Sequence, residues 1–319
     1  MRILSRVSCI FKRMRHRLAP WGALALLAAI CAVVLGVVAL MRLHSTSPAA
    51  LVGRLPSQDS IILAIDFKAL RRAGALGLLS SPKVTQEEEY RSFVYQTGFE
   101  YLDDLDSAYV AFRPSGTYFL LTGRFQWRTL TDYTVNHGGA CHNTLCQIEG
   151  SAPDRMISFF PLRPDLLALA VSSDPYAATQ MQGRKKSFAG ELPPEPLWVL
   201  VPVAALRNRT DLPAGARAFV RVLEGAETVL FAAGPDGKHW TVRLDAACRD
   251  ARTASALVTE LRDITAQLRD LIAREGQTPN PADLSGVLTA GAFEQKDTHA
   301  LGRWQIEREF LESLSRGSL

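Results

Sequence analysis

Residues 105–125, LDSAYVAFRPSGTYFLLTGRF, hold two apolar runs separated by Pro114-Ser115-Gly116. Aromatic, aliphatic and β-branched runs on either side of a Pro-x-Gly turn read as a β-hairpin. The pattern recurs without gaps at residues 226–246, AETVLFAAGPDGKHWTVRLDA, with Pro235 and Gly237 in the places of Pro114 and Gly116. Upstream of the first hairpin, LPSQDSIILAIDFKALR (55–71) has a counterpart in LPPEPLWVLVPVAALR (192–207), one residue shorter. The first of these openings predicts a strand over 60–65 and a helix capped by Asp66, whose carboxylate suits the free N–H groups of a first helical turn.

Between the opening and the hairpin, a helix is predicted over Gln86–Gln96. Thr85 and Glu88 have capping-box spacing, and Glu87, Glu88 and Glu89 are first-turn acids favoured by the helix dipole. A short helix is predicted at 127–135, then a second hairpin at 155–173, RMISFFPLRPDLLALAVSS, then a helix from Asp174-Pro175. In the second stretch the helix is long, 250–275, with Val258, Leu261, Ile264, Leu268 and Leu271 at helical spacing. GAFEQKDTHALGRWQIE (291–307) reads as the second hairpin of that stretch, and the polar run GRKKSFAGE (183–191) as the boundary between the two. The expected fold class is therefore α+β: an N-terminal transmembrane helix followed by two tandem copies of a strand–helix–hairpin–helix–hairpin–helix unit, over 54–190 and 191–319. Each copy has a normal domain size.

The transmembrane expectation comes from Trp21 to Met41, WGALALLAAICAVVLGVVALM, which carries no charge. A helix of that length spans roughly 31 Å, close to the hydrocarbon thickness. Residues 1–20 hold Arg2, Arg6, Lys12, Arg13, Arg15 and Arg17 and no acid. The positive-inside rule then predicts a basic cytoplasmic tail (1–20), a transmembrane signal anchor (21–41), a linker (42–53) and a body outside the membrane. The apolar core of a cleavable signal peptide is usually shorter than this run. The expected location is thus that of a single-pass bacterial inner-membrane protein facing the periplasm. The membrane is its partner through 21–41, alongside an unidentified envelope protein or ligand.

The whole chain has 36 basic and 32 acidic residues; without the tail, 30 basic face 32 acidic, a formal −2. The basic sequence pI of about 8.9 belongs to the tail. Nucleic acid is accordingly not an expected partner of the body. At 47% hydrophobic and 21% charged residues, the chain has the composition of a globular protein rather than a disordered one.

The anchor, the opening at 55–71 and the segment TGFEYLDDLDSAYVAF (97–112) resemble uncharacterised single-pass envelope proteins of Gram-negative soil bacteria. The likeness covers most of 54–182 and extends weakly into the second half. It implies architecture and topology; it carries no activity, cofactor or site residue.

The stretch with the most concentrated chemistry is GGACHNTLCQIEG (138–150). In an oxidising compartment Cys141 and Cys146 pair, if the loop turns back on itself. Gly138, Gly139 and Asn143 suit a turn. A zinc site would use His137, Cys141, His142 and Cys146, but adjacent Cys141 and His142 diverge and the spacing is not that of the usual zinc motifs. A redox centre would favour two intervening residues and a helix N-terminus. The pair is read as a structural disulfide, with the metal and redox readings as alternatives.

Other patterns fail on context. Ser80-Ser81-Pro82-Lys83 has the S-x-x-K spacing without the companion motifs of penicillin-binding enzymes. There is no nucleophile elbow, zincin motif, phosphate loop or dinucleotide fingerprint, so no cofactor is expected. Asp103, Asp104 and Asp106 read as a solvated turn, His239 as a sheet-face residue, and Cys248 as a small buried residue. The sequence leads to a membrane-anchored extracytoplasmic protein that binds, scaffolds or senses without catalysis. The alternative is thiol–disulfide or metal-binding activity at Cys141 and Cys146.

Overall fold

The computed structural model describes residues 47–57, 59–79, 87–150, 152, 154–183, 188, 191–205, 214–237, 239–307, 309–311 and 313. The strands are β1 (Ile61–Asp66), β2 (Leu105–Arg113), β3 (Gly116–Gly123), β4 (Ala140–His142), β5 (Leu145–Glu149) and β6 (Met156–Arg163). They continue with β7 (Leu166–Ser172), β8 (Leu197–Pro202), β9 (Thr228–Asp236), β10 (His239–Ala247), β11 (Ala292–Lys296) and β12 (His299–Ile306). The helices are α1 (Pro48–Val52), α2 (Phe67–Arg72), α3 (Glu88–Thr97), α4 (Tyr101–Asp104), α5 (Trp127–Asn136), α6 (Ala214–Leu223), α7 (Ala251–Arg274) and α8 (Leu284–Thr289).

All twelve strands join one antiparallel sheet in the order β11-β12-β10-β9-β8-β1-β2-β3-β7-β6-β5-β4. The centre is the β1–β8 pair, where Ile62 faces Leu200 and Ala64 faces Trp198. Asp66 N–H reinforces it by donating to Pro196 O at 2.7 Å. From that pair outward the order is β2-β3-β7-β6 on one side and β9-β10-β12-β11 on the other.

This architecture corrects the expected fold class. The strands of both stretches build a single large sheet instead of two tandem strand–helix–hairpin–helix–hairpin–helix units. The reason is the edge problem: β1 and β8 each carry a row of unpaired N–H and C=O groups, and pairing them satisfies both rows. Several expected helices also shrink to turns. The one after Asp174 is a 3₁₀ turn, Ala177–Met181, and the one after β8 is a 3₁₀ turn, Val203–Ala205.

The anchor at 21–41 lies outside the described residues, and among the described residues no helix is long and apolar enough to cross a membrane. The expected transmembrane helix, the membrane as a partner and the single-pass, periplasm-facing location find no support among the described residues. The one long described helix, α7, is amphipathic: Ala254, Leu257, Val258, Leu261 and Thr265 form a single buried stripe against the sheet.

Local chemistry explains the boundaries. The Asp66 carboxylate accepts from Ala69 N–H at 2.7 Å and turns β1 into α2. Asp250 accepts from Thr253 N–H at 2.7 Å and starts α7. Gly98 closes α3 in the left-handed conformation, φ 67°. At the β2–β3 turn Gly116 has φ 149°, and a Cβ there would stand 2.6 Å from Val171 O, so the neighbouring strand admits no side chain.

The N-terminal half of the sheet is covered on both faces. On one, Ile62, Ala64, Tyr109, Tyr118, Leu120 and Trp198 pack with Leu51, Val52 and Leu55 and with Ala177, Ala178 and Met181. On the other, Leu130 of α5 packs with Cys146, Phe159 and Leu167. The C-terminal half is covered on this second face only, by α6, α7 and α8 over Val229, Leu244, Ala246, Phe293 and Trp304. Among the described residues, no element covers the first face of β10, β12 and β11.

Candidate functional site

Strand alternation decides what the open face carries. The residues of β10, β12 and β11 that point away from α6–α8 include Thr241, Arg243 and Asp245; His299, Leu301, Arg303 and Gln305; and Ala292, Glu294 and Lys296. Register sets them in rows. Arg243 stands directly opposite Arg303, and Asp245 opposite Leu301. Arg303 stands opposite Ala292, Leu301 opposite Glu294, and His299 opposite Lys296.

All of these side chains except Thr241 and Gln305 floor an open groove of about 990 Å³. Glu191, Leu192, Pro193 and Pro194 wall it, and Leu230 and Ala232 of β9 add an apolar strip. Ion pairs order the charges. Arg243 Nη2 meets the Glu195 carboxylate at 2.5 Å and 2.7 Å. Arg303 Nη2 meets Asp236 Oδ2 at 3.0 Å, and Thr241 donates to the same oxygen. His299 Nδ1 lies 2.6 Å from Asp245 Oδ1, and farther along the face His239 Nδ1 lies 2.9 Å from Glu307 Oε2. All are solvent-accessible, so each contributes modestly to stability.

The cysteine stretch lies at the far edge of the sheet. It is a hairpin rather than an irregular loop: β4 and β5 meet at Asn143 and Thr144, both with positive φ (48° and 72°). That is the geometry of a two-residue turn whose twist matches the flanking strands. Cys141 and Cys146 are cross-strand partners with Cα atoms 4.0 Å apart, joined by a disulfide of 2.04 Å. Cys146 is buried beneath Leu130, Phe159 and Leu167, while Cys141 is half-buried.

The four residues of the zinc reading do not converge. Both sulfurs are bonded to each other. The His137 ring stacks on Tyr133 at 4.0 Å, with Nδ1 2.8 Å from Tyr133 O, and His142 is exposed. Among the described residues no group of three or more His, Cys, Asp or Glu side chains is placed to hold a metal ion.

The remaining sequence candidates have local roles. Asp104 pairs with Arg124 at 2.9 Å and accepts from Glu100 N–H at 2.9 Å, which organises the turn around α4. Beside it, Phe99 and Phe125 stack at 5.6 Å in a smaller hollow of about 470 Å³. Cys248 is buried; burial first, and then nearby Asp250, Glu227 and Asp245, push its thiol pKa up, which keeps it unreactive. Ser80 to Lys83 lie outside the described residues.

Sequence reading missed the groove. His239 reads as a sheet-face residue from sequence, but Arg243, Arg303, Glu195 and Lys296 come together only through strand register. A usable signal was the alternation T-V-R-L-D-A at 241–246 and A-L-G-R-W-Q-I at 300–306, which sets charge on one face and apolar residues on the other.

No known protein family's sequence profile matches the chain, and no curated protein sequence matches it. Among solved structures, crystal form I of TP0453 is 10% identical, with a TM-score of 0.47, and the match covers 85% of this chain and 100% of that one. Crystal form III of TP0453 is also 10% identical with a TM-score of 0.47, covering 83% of this chain and 97% of that one. No function or site residue follows from likenesses of this size.

Proposed function

We propose that the protein is a non-enzymatic binding protein that receives a partner's polypeptide segment across the open face of β10, β12 and β11. The observation that carries this reading is the groove itself. It is the one part of the described sheet where three strands present side chains without a covering layer, and the chain's own proline-rich segment 191–196 already lies along its wall. Prolines fix φ in such a segment, which leaves little backbone entropy to lose. The mixed lining favours a polypeptide over a purely apolar ligand.

The thiol–disulfide alternative has less support. The disulfide closes a short edge hairpin, and one of its two cysteines is buried, where a thiolate is disfavoured.

The test is selection of displayed peptides of about 12 residues, roughly 40 Å when extended, against the full-length chain. Binders are then measured on Leu301→Arg, which fills the groove floor, and on Tyr95→Arg, an exposed position far along the chain. Affinity falling about tenfold or more in the first variant and holding in the second supports the reading. Equal binding to both, or no binders at all, overturns it.

A further inference from the structure

On the open face, charge alternates along the strands. The row of Arg243 and Arg303 is followed by a row with Asp245 and Glu294, and that by a row with Lys296 and His299. Successive rows are two residues apart, about 6.8 Å in a strand. Arg243 and Arg303 are direct cross-strand partners, and like charges in that position destabilise a sheet. Each is met from a different side, Arg243 by Glu195 of the wall and Arg303 by Asp236 of the β9–β10 turn. Both ion pairs use the Nη2 atom, and a guanidinium has five N–H donors, so each arginine keeps donors for a further carboxylate. Glu294 and Lys296 are exposed.

We infer that the groove recognises an extended peptide whose side chains on one face run acid, base, acid at every second position. This rests on the reading of the groove as a polypeptide-binding site and names what it selects. The first acid meets the Arg243–Arg303 row, the base meets Glu294 and Asp245, and the second acid meets Lys296. Only an extended chain repeats its side chains at the spacing of these rows. A polyphosphate backbone carries negative charge throughout and would meet Asp245, Glu294, Glu191 and Asp297. A small dianion covers one row only. The chain itself supplies one instance of this chemistry: Glu195, in the bend that leads into β8, already places a carboxylate on Arg243.

The experiment is fluorescence polarisation on the full-length chain at low salt. One labelled peptide presents Glu-Thr-Lys-Thr-Glu, and a second presents the reversed Lys-Thr-Glu-Thr-Lys. The first is expected to bind about tenfold or more tighter, with a difference that shrinks as salt is raised. In the double variant Arg303→Glu, Glu294→Lys the preference should invert. Lys296→Glu, at an exposed edge position, should by itself weaken the first peptide and spare a version lacking the second acid; it reports even if the double variant does not fold. Equal affinity of the two peptides, or a preference unmoved by Lys296→Glu, overturns the charge pattern while leaving the groove as a binding site. If neither patterned peptide binds but selected peptides do, the pattern is again refuted. If selected peptides fail as well, the groove reading itself falls.

Discussion

Reduction of the Cys141–Cys146 bond should loosen one edge of the sheet and little else. The bond closes a loop of six residues counting both cysteines, and loop-closure entropy for such a loop amounts to about 2 kcal/mol. That energy acts on a small unit. β4 has three residues and pairs only with β5, which pairs onward with β6 through Cys146, Gln147, Ile148 and Glu149. The strands at the centre of the sheet are held by long ladders and by two cores that the hairpin touches only through Leu145, at its rim. A cost of about 2 kcal/mol confined to the hairpin is a rise of roughly 30-fold in its opening equilibrium. The assay is amide hydrogen exchange with and without a phosphine reductant. Reduction leaves every side chain in place, and among the described residues the remaining cysteine, buried Cys248, is free. Peptides spanning 140–149 should exchange roughly 30-fold faster, while those spanning β1, β2 and β8 keep their rates. Uniform acceleration across the sheet would refute the argument, since the hairpin would then open only with the whole fold. No change at 140–149 would refute it equally.

Leu261 is fully buried in the stripe that α7 lays on the sheet, so Leu261→Ala should cost about 2–5 kcal/mol in urea unfolding. A loss below 1 kcal/mol would mean that the helix does not pack as described. The Asp250 carboxyl sits below the ordinary aspartate range because Thr253 N–H and then the Thr253 hydroxyl donate to it. With a folded pKa below the unfolded one, the unfolded state binds more protons. The stability from this cap is complete above pH of about 4 and fades as pH falls through the folded value. Asp250→Asn should therefore flatten the acid limb of α7 unfolding, followed by circular dichroism, and an unchanged limb would remove the cap from the account.

Much of the local structure was legible. Pro114-x-Gly116 and Pro235-x-Gly237 announced two hairpins, and both form. Asp66 and Asp250 cap helices because a short carboxylate before an apolar-periodic run reaches the free N–H groups of the first turn. The cysteine stretch was readable as a pair, but not as two strands: Asn143 and Thr144 show their turn geometry only once the flanking residues are seen in register. The apolar run at 21–41 invited a membrane reading that the described structure does not support. The assembly of both stretches into one sheet was not legible, because β1 and β8 are short apolar strands that could pair with many others.

What the sequence determined by itself is the set of elements whose causes are near neighbours: turns at Pro-x-Gly, caps three residues ahead of the N–H they hold, and the amphipathic stripe of α7. What only the tertiary structure decided is the joining of β1 to β8 and the groove that follows from it. Glu195 and Arg243 are 48 residues apart, and Asp236 and Arg303 are 67 apart. Side-chain alternation says that Arg243 and Arg303 each face one side of a strand. Register, fixed by cooperative pairing across the sheet and by the apolar face packed under α7, sets them opposite one another with Glu195 at hand.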